Sequence, residues 1–360
     1  MTASTRFLQD ILRQPSEMQR AIEYLTGAGQ DTVEQAADVI RSSGHVFMTG
    51  IGASWNAALS AGALFDLAAR PVYMQEAGQL LHGTALPRGA TIVAISRTGR
   101  SIEIVQLLAK AEAHGARVIG ITNCADSPLG RESAVAVVVP TKLDHGISVN
   151  AYSTLLIAAS ALASSATASF ASVTKPLLDA IAGAGKRLER WREQLEESGW
   201  LAAGAPYYFL ARGGSLGTCH EARLLWEEGV KMPATAMSTS SFRHGPQEIV
   251  RDGMRFCLWI DQTRMRDQDL SVARDLRELG ASVMVIGEKL PHDAGDLVCD
   301  LPTSPVHWQF VIDVLPVQLA CERLSRLSGV DCDTFRICSY VVEDEHGLLG
   351  KKAEASPNAD

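Results

Sequence analysis

The sequence has few cysteines, and their spacing matches neither a disulfide framework nor a common metal site. The seven cysteines are odd in number and include no CxxC pair, which argues against both arrangements. Several of them stand within apolar strand or helix patterns, at positions typical of buried thiols. We therefore predict reduced thiols in the core of the protein and no bound metal.

Long apolar runs and an excess of positive charge are also missing. No apolar run reaches the roughly 18 residues that a membrane-spanning helix needs, and the first residues lead into a polar amphipathic stretch that does not resemble a signal peptide. The formal net charge is −8 and the pI is about 5.6, which gives no general attraction to nucleic acid or anionic membranes. We predict a cytoplasmic protein without a nucleic-acid or membrane partner, in which a local site holds any bound anion.

A strand-turn-helix pattern occurs twice along the chain. An apolar strand breaks at a glycine-rich turn into a helix at 47–54 and again at 209–215. Two further strands of the first copy, at 91–96 and 118–121, are matched by strands at 256–261 and 283–286. The second copy follows the first by 161 to 165 residues. This repeat predicts two tandem domains of similar size.

The alternation of elements within the first copy predicts the fold class. Strands are predicted near 45–50, 72–75, 91–96, 117–121 and 135–139, with helical stretches between them. Such alternation is typical of an α/β fold with a doubly wound parallel sheet that helices cover on both faces. The predicted organisation is an N-terminal segment of one or two amphipathic helices at 1–42, a first domain at 43–195, a second domain at 196–343 and a flexible polar tail at 344–360.

Hydroxyl-bearing residues cluster where strands of the first domain end. The run 96–101 follows a buried strand and precedes a helix predicted at 102–113, so its hydroxyls and free backbone N–H groups converge on a helix N-terminus, which favours anions. The turn 52–54 and the run 148–153 are expected at the same edge of the sheet, where open α/β folds bind ligands. Helix capping would explain each motif singly. Because three of them share one edge, we predict a phosphate site there.

Three motifs, in this order, resemble the sugar isomerase (SIS) family in its double-domain form. They are Gly52-Ala53-Ser54-Trp55, the run 94–101 (Ala-Ile-Ser-Arg-Thr-Gly-Arg-Ser) and Phe242-Arg243-His244-Gly245-Pro246. The resemblance covers about residues 7–343 and implies two tandem flavodoxin-like domains. The relatives that it indicates are the isomerase half of glucosamine-6-phosphate synthase and the stand-alone deaminases and deglycases of amino-sugar phosphates.

The resemblance implies that hydroxyls and backbone amides hold the phosphate of a phosphosugar, without a metal or another cofactor. The residues implied most directly are Ser54, Ser96, Thr98 and Ser101, with weaker support for Ser148. The full set of predicted substrate-binding residues is Gly52, Ala53, Ser54, Ser96, Arg97, Thr98, Gly99, Ser101 and Ser148.

The resemblance also implies two catalytic residues, Glu228 as general base and His244 as the acid/base that opens the sugar ring. Proton transfer between C1 and C2 needs a carboxylate beside the reacting carbons, and ring opening needs a group that titrates near neutrality. Glu228 follows Leu225 by three residues in a predicted helical run at 221–230, so it borders the buried face, where a raised pKa is expected. Glu221 is the second candidate for the base.

A homodimer is implied because, in the family, the loop that carries this histidine often reaches the site of a neighbouring subunit. His244 lies among turn-forming residues, so we predict a loop without regular structure, and catalytic groups concentrate in loops. Phe242 is a large apolar residue in this otherwise polar loop. We therefore expect Phe242 to contact a second subunit.

The chain departs from the synthases at several points. They carry a lysine one helical turn before the catalytic glutamate, where this chain has Leu225, and their C-terminal lysine has no clear counterpart, since Lys351 and Lys352 come too late to align. No glutaminase domain and no cysteine after Met1 are found, so transfer of ammonia from glutamine is not expected.

The expected activity is therefore release of ammonia or an amine from an amino-sugar or ketosamine 6-phosphate. Such an enzyme would be a glucosamine-6-phosphate deaminase or a fructosamine-6-phosphate deglycase. A plain aldose–ketose isomerase of phosphosugars stays open as an alternative. A non-catalytic phosphosugar-binding protein is the third possibility, and the pair Glu228 and His244 argues against it, as does the lack of a DNA-binding segment before the first domain.

Overall fold

The computed structural model describes residues 4–345, 347 and 348. Over these residues the chain forms two five-stranded sheets, and every strand pair in them is parallel. The first sheet consists of β1 (Val46–Thr49), β2 (Tyr73–Met74), β3 (Thr91–Ile95), β4 (Arg117–Thr122) and β5 (Val135–Val138). The second consists of β6 (Tyr207–Ala211), β7 (Ala234–Ser238), β8 (Arg255–Trp259), β9 (Ser282–Glu288) and β10 (Leu297–Leu301).

Both sheets have the same topology. The strand orders are β2-β1-β3-β4-β5 and β7-β6-β8-β9-β10, which is the flavodoxin-like order in each case. The predicted fold class, two tandem doubly wound domains, is confirmed. The predicted domain limits at 42/43 and 195/196 stay predictions.

The central strands are those that the sequence predicted, because they are buried on both faces and read as continuous apolar runs. All five residues of β3 are buried. Two strands, β7 and β10, were not predicted from the sequence, and they are the two edge strands of the second sheet. All residues of β7 are half-buried, so this strand lacks the apolar signal by which a central strand is recognised.

Helices cover both sheets. Those of the first half are α1 (Arg6–Leu25), α2 (Gln30–Arg41), α3 (Ala53–Leu67), α4 (Ala77–Gly83), α5 (Ile102–Ala113), α6 (Pro128–Glu132), α7 (Asn150–Thr167), α8 (Ala171–Gly185) and α9 (Leu188–Glu197). Those of the second half are α10 (Ser215–Leu225), α11 (Thr239–Phe242), α12 (Arg266–Glu278) and α13 (Leu315–Leu327), with 3-10 turns at Pro246–Ile249 and Gln309–Val311. The N-terminal segment thus contains two helices, α1 and α2.

One predicted helix is α-helical only over its first half. The sequence predicted a helical run over 221–230, but α10 ends at Leu225 and a single π-helical turn follows at Trp226–Val230. Glu228 lies in this turn. A π turn shifts the faces of a helix and is frequent at functional sites, and no periodicity in the sequence indicated it.

The two halves meet where α3 packs against α10. Gly217 permits this approach, because a Cβ atom there would collide with Ser60 and with the backbone at Asn56. Within the interface, the Asn56 side-chain amide donates to a carboxylate oxygen of Glu221 at 2.8 Å. This packing brings the π turn after α10 to the carboxyl edge of the first sheet.

The prediction that the cysteines lie in the core needs correction at two positions. Cys219, Cys257, Cys299, Cys321 and Cys332 are buried and free, as predicted for core thiols, but Cys124 is only partly buried and Cys338 is exposed. Both lie in irregular segments, where no apolar pattern applies.

Two further findings bear on the remaining expectations. Within the described ranges, no helix is long and apolar enough to span a bilayer. Lys351, Lys352 and most of the predicted tail lie outside the described residues.

Candidate active site

A cavity of about 230 Å³ opens at the carboxyl edge of the first sheet. Its lining consists of Ile51, Gly52, Ala53, Ser54, Ser96, Arg97, Thr98, Ser101, Glu103, Gly146, Ser148, Glu228 and six residues of the segment 335–342. We call this segment the C-terminal strap. Eight of the nine predicted substrate-binding residues and one of the two predicted catalytic residues thus surround a single space. The exception among the former is Gly99.

The loop between β3 and α5 has a fixed shape. Ser96 is buried, and its hydroxyl oxygen accepts a hydrogen bond from the Gly99 amide at 3.0 Å. Gly99 has a φ of +62° and leaves no space for a side chain, because a Cβ atom would collide with Ser127. Gly99 therefore shapes the turn and does not line the cavity. The Ser101 hydroxyl makes no capping bond to α5, so it is available to a ligand.

The turn after β1 supplies the second hydroxyl. Gly50 must lack a side chain, because a Cβ atom there would collide with the backbone of Ser54. This close approach places Ser54 in the first turn of α3, with most of its surface buried and the remainder lining the cavity.

Arg97 joins three parts of the site. Its guanidinium donates to the Gly146 carbonyl at 3.3 Å, to the Ser148 hydroxyl at 3.2 Å and to the Tyr340 carbonyl at 3.0 Å. It also lies over the Tyr340 ring, 3.9 Å from the centroid. None of these partners is a carboxylate, so the positive charge of Arg97 is available to a bound anion.

Asp144, which sequence reasoning missed, positions Ser148. Its carboxylate accepts hydrogen bonds from the backbone amides of Val149, Asn150 and Ala151 at 2.9–3.0 Å, where α7 begins. Burial raises the pKa of Asp144, and these bonds oppose that shift. The fixed helix start holds Ser148 beside Arg97.

The C-terminal strap covers the cavity and corrects one expectation. The Ile102 amide, the first of α5, donates to the Val342 carbonyl of the strap at 3.0 Å. The sequence predicted free amides at this helix N-terminus, and this one is occupied. The strap lacks helical or strand periodicity, so nothing in its sequence indicated its place.

Glu228 lines the same cavity from the second half of the chain. It is half-buried, and burial raises its pKa to about 7, while the positive charges of Arg97 and Lys231 oppose the shift. Its neighbour Glu227 points elsewhere and pairs with Arg223 at 2.8 Å. A carboxylate with such a pKa can both accept and return a proton near neutral pH.

Glu221, the second candidate for the base, does not line the cavity. It is buried between α3 and α10 and is bonded to Asn56. Burial raises its pKa to about 8, so it is held largely as the neutral acid.

His244 is exposed and does not line the cavity of its own chain. The loop around it has more regular structure than predicted, since α11 precedes it and a 3-10 turn follows. Phe242 was expected to contact a second subunit, and this expectation is wrong. It is 2% exposed and packs against Tyr208 and Phe256 within the second domain.

Glu103 also lines the cavity and was missed by sequence reasoning. Its Oε2 atom is buried without a hydrogen-bond partner among the described residues. The only signal in the sequence was its position two residues after the phosphate motif. A carboxylate there can accept from a hydroxyl or an ammonium group of a ligand.

Comparisons with known proteins agree with this geometry. Residues 39–165 match the model of the SIS domain. The glutamine–fructose-6-phosphate aminotransferase (isomerizing) of Pyrococcus horikoshii is 22% identical over 337 residues, with 91% of this chain and 55% of that protein covered. The chain thus spans about half the length of the curated relatives it matches.

Two solved structures share the fold over nearly the whole chain. The glucosamine-6-phosphate deaminase of Thermotoga maritima is 20% identical with a TM-score of 0.78, covering 94% of this chain and 99% of that one. The tagatose-6-phosphate ketose/aldose isomerase of Escherichia coli is 19% identical with a TM-score of 0.81, covering 93% and 96%. Residues 39–165 thus match the SIS domain, and the whole chain shares with these two structures a fold of two tandem domains of flavodoxin-like topology.

Proposed function

We propose that this protein is an enzyme that releases ammonia or an amine from an amino-sugar or ketosamine 6-phosphate. One observation carries the proposal: a half-buried carboxylate with a pKa of about 7, Glu228, lines the same cavity as the hydroxyls of the phosphate motif. Ser54, Thr98, Ser101 and Arg97 hold the phosphate, while Glu228 faces the carbon end of the substrate.

The reaction needs one base and one water molecule. Glu228 takes the proton from the carbon that bears nitrogen and returns it to the neighbouring carbonyl carbon, while a proton passes from the nitrogen to the carbonyl oxygen, which leaves a C=N bond. Water adds to the carbon of this bond, and both hydrogens of the water pass to the nitrogen. The C–N bond then breaks as a C=O bond forms, and the free amine leaves. Because the pKa of Glu228 is about 7, the carboxylate and the acid are both populated near neutral pH.

His244 opens the sugar ring in the site of a second subunit, and the working unit is a homodimer. The exposed position of His244, away from the cavity of its own chain, supports this assignment. The buried Phe242 gives no support, so a dimer is proposed on His244 alone. The cytoplasmic location and the independence from metals stay predictions.

A plain isomerase of phosphosugars is the second candidate, because the fold is shared with a tagatose-6-phosphate ketose/aldose isomerase. The two activities differ in their products. Purified protein is incubated with glucosamine 6-phosphate, with fructosamine 6-phosphates and with tagatose 6-phosphate, and the products are followed by mass spectrometry. Free ammonia or amine together with a sugar phosphate supports the proposal. Aldose–ketose conversion without amine release would replace it by the isomerase.

A further inference from the structure

The π turn that carries Glu228 packs against α13. Gly229, the residue after Glu228, has no space for a side chain, because a Cβ atom there would lie 2.6 Å from the Cys321 sulfur. Cys321 belongs to α13 and is fully buried. The backbone beside the proposed base therefore rests directly against one thiol.

The same thiol also bonds to the start of the turn. Its Sγ donates to the Leu225 carbonyl at 3.2 Å. Leu225 is the last residue of α10, where the α-helical bonds give way to the π turn. Burial raises the pKa of the Cys321 thiol well above its ordinary value, so the thiol stays protonated and can donate. Cys321 thus contacts the backbone on both sides of Glu228.

Backbone conformation does not account for the glycine in the turn. Gly229 has no φ in the left-handed region, and glycine destabilises a helical turn relative to alanine. The contact with Cys321 is the feature that excludes a side chain at this position. The turn therefore gives up helical stability to lie this close to α13.

The other end of the turn is held by Lys231. Its ammonium donates to the backbone carbonyls of Glu228 and Thr334, the latter at 2.9 Å. Thr334 lies in the segment after α13, where the Asp333 carboxylate accepts from the first two amides of α1 at 2.8 Å. Both ends of the turn are thus attached to α13 or to the segment that follows it.

We infer that α13 positions the proposed base, through the contact of Cys321 with Gly229 and with the Leu225 carbonyl. This inference rests on the proposed function, which assigns Glu228 as the base. Cys321 does not line the cavity, so it is a positioning residue. It fixes the turn, and the turn fixes where the Glu228 carboxylate lies in the cavity.

The groups around Glu228 make its pKa a measure of its position. Besides the Cys321 thiol, the titratable groups of the surrounding elements are Arg97, Glu103, Glu221, Glu227, Lys231, Cys338 and Tyr340. None of these seven side chains is changed in the variants below. A change in the pKa of Glu228 in those variants therefore reports a change in its burial or in its distance from these groups.

The decisive variant is Gly229→Ala, whose added methyl collides with the Cys321 sulfur and moves the turn from α13 into the open cavity. We expect kcat to fall by about tenfold or more, because a displacement of about 1 Å can cost up to about 10²-fold, while KM changes little. The pKa of Glu228 should fall from about 7 toward 4.5, since the carboxylate becomes more hydrated. Adding Cys321→Ala removes the sulfur, so the double variant should recover most of kcat and of the pKa.

Steady-state kinetics across pH 5–9 measure kcat and KM. Carbon NMR of protein labelled at the glutamate carboxyl groups measures the pKa of Glu228 without turnover, with Glu228→Gln to assign the signal. Cys321→Ala by itself should lower kcat, and Cys321→Ser, which keeps a donor to Leu225, should lie closer to the wild type.

Two matched controls separate positioning from a general loss of stability. Cys299→Ala removes an equally buried thiol in β10, at the far edge of the second sheet. Gly183→Ala places a methyl in α8 where a Cβ atom would lie 2.8 Å from Pro302. Both should lower the melting temperature and leave the pKa of Glu228 unchanged.

The inference is overturned if Gly229→Ala keeps the wild-type kcat and pKa, or if Cys321→Ala restores neither. Should Gly229→Ala not fold, the NMR comparison decides: a lower pKa in Cys321→Ala than in Cys321→Ser supports the inference, and equal values overturn it. If the wild type releases no amine but the pKa shifts and recovers as expected, the proposed function fails and the positioning of Glu228 by α13 stands.

Discussion

At the carboxyl edge of the first sheet, the loop after β3 places Thr98 and Ser101 against a cavity, whereas in the equivalent loop after β8 a carboxylate accepts hydrogen bonds from the loop's own hydroxyl and amides. The Asp261 carboxylate of the second loop accepts from the Thr263 amide and hydroxyl and from the Met265 amide at 3.0–3.1 Å. These are the groups that an anion would otherwise use. The amide and hydroxyl groups that make these bonds in the second loop are therefore not available to a ligand.

The arginines of the two edges differ in the same way. Arg97 bonds to carbonyls and a hydroxyl and keeps its charge available. Arg212, after β6, is tied to the buried Asp269 at 2.8 Å. A cavity of about 190 Å³ exists at the second edge too, but Asp66 and Asp261 line it. Two copies of one fold therefore differ in which edge holds an arginine without a carboxylate partner, because the residues at the strand ends differ.

The second half contributes to the site by another route. Its π turn carries Glu228 to the first sheet, so the proposed base and the proposed phosphate loop come from different halves of the chain. The predictions that follow test this division between a binding half and a catalytic half.

The largest effect is expected for Glu228→Gln. Removing the base should lower turnover by about 10² or more, while ligand affinity changes little. In the wild type, kcat should rise with pH through about 7, because the carboxylate must be deprotonated to accept the proton. Steady-state kinetics across pH 5–9 measure both effects.

The matched control is Glu193→Gln, an exposed glutamate of α9, which should leave turnover and the pH profile unchanged. A Glu228→Gln enzyme with near-normal turnover would remove Glu228 from the mechanism.

The next effect compares the two loops directly. Thr98→Ala should weaken phosphosugar binding by roughly 1–3 kcal/mol, the range for hydrogen bonds to charged groups. Thr263→Ala, the same change in the second loop, should have no effect. Ser96→Ala should resemble Thr98→Ala, with added loss of the bond that holds Gly99.

Calorimetry with a 6-phosphate and with the unphosphorylated sugar measures these differences. Equal affinity for the two ligands, or a loss in Thr263→Ala, would contradict a single phosphate site at the first edge.

A smaller effect is expected from sharing of sites between subunits. At a substrate concentration well below KM, His244→Ala and Ser96→Ala should each lower activity strongly, and their co-expression should restore about a quarter of wild-type activity. Half of randomly formed dimers are mixed, and each mixed dimer has one site without a defect. Verified mixed dimers that stay inactive would show that His244 acts within its own chain.

The smallest effect concerns the contact between the two halves. The pKa of Glu221 is about 8 in the fold, above its ordinary value of 4.5, so the folded state favours the proton. Its stabilising contribution is therefore present at pH 5 and is lost as the pH rises through 8. Glu221→Gln keeps an acceptor for Asn56 and does not titrate.

The melting temperature of Glu221→Gln should accordingly fall less than that of the wild type between pH 5 and pH 8. The difference should be a few degrees, since about 1 kcal/mol corresponds to 2–4 °C for domains of this size. Identical falls in both proteins would show that the Glu221 carboxyl keeps an ordinary pKa.

The sequence alone determined the fold class, the repeat and the edge of the sheet at which the predicted phosphate loop lies. Central parallel strands are buried on both faces, so the sequence shows them as apolar runs that end at turn-forming residues. The residues 52–54, 96–101 and 148 follow such strands or precede helices, and the carboxyl ends of parallel strands must share one edge. Their meeting in a single cavity follows from that topology.

Only the tertiary structure decided which residues from distant parts of the chain complete the site. The π turn that presents Glu228, the strap that brings Tyr340 to Arg97 and the burial of Phe242 depend on packing between elements far apart in sequence. A local sequence pattern shows which face of one helix or strand is buried, but it does not show which other element packs against that face. The pKa of Glu228 depends on the residues that bury it, so no local pattern could give that pKa.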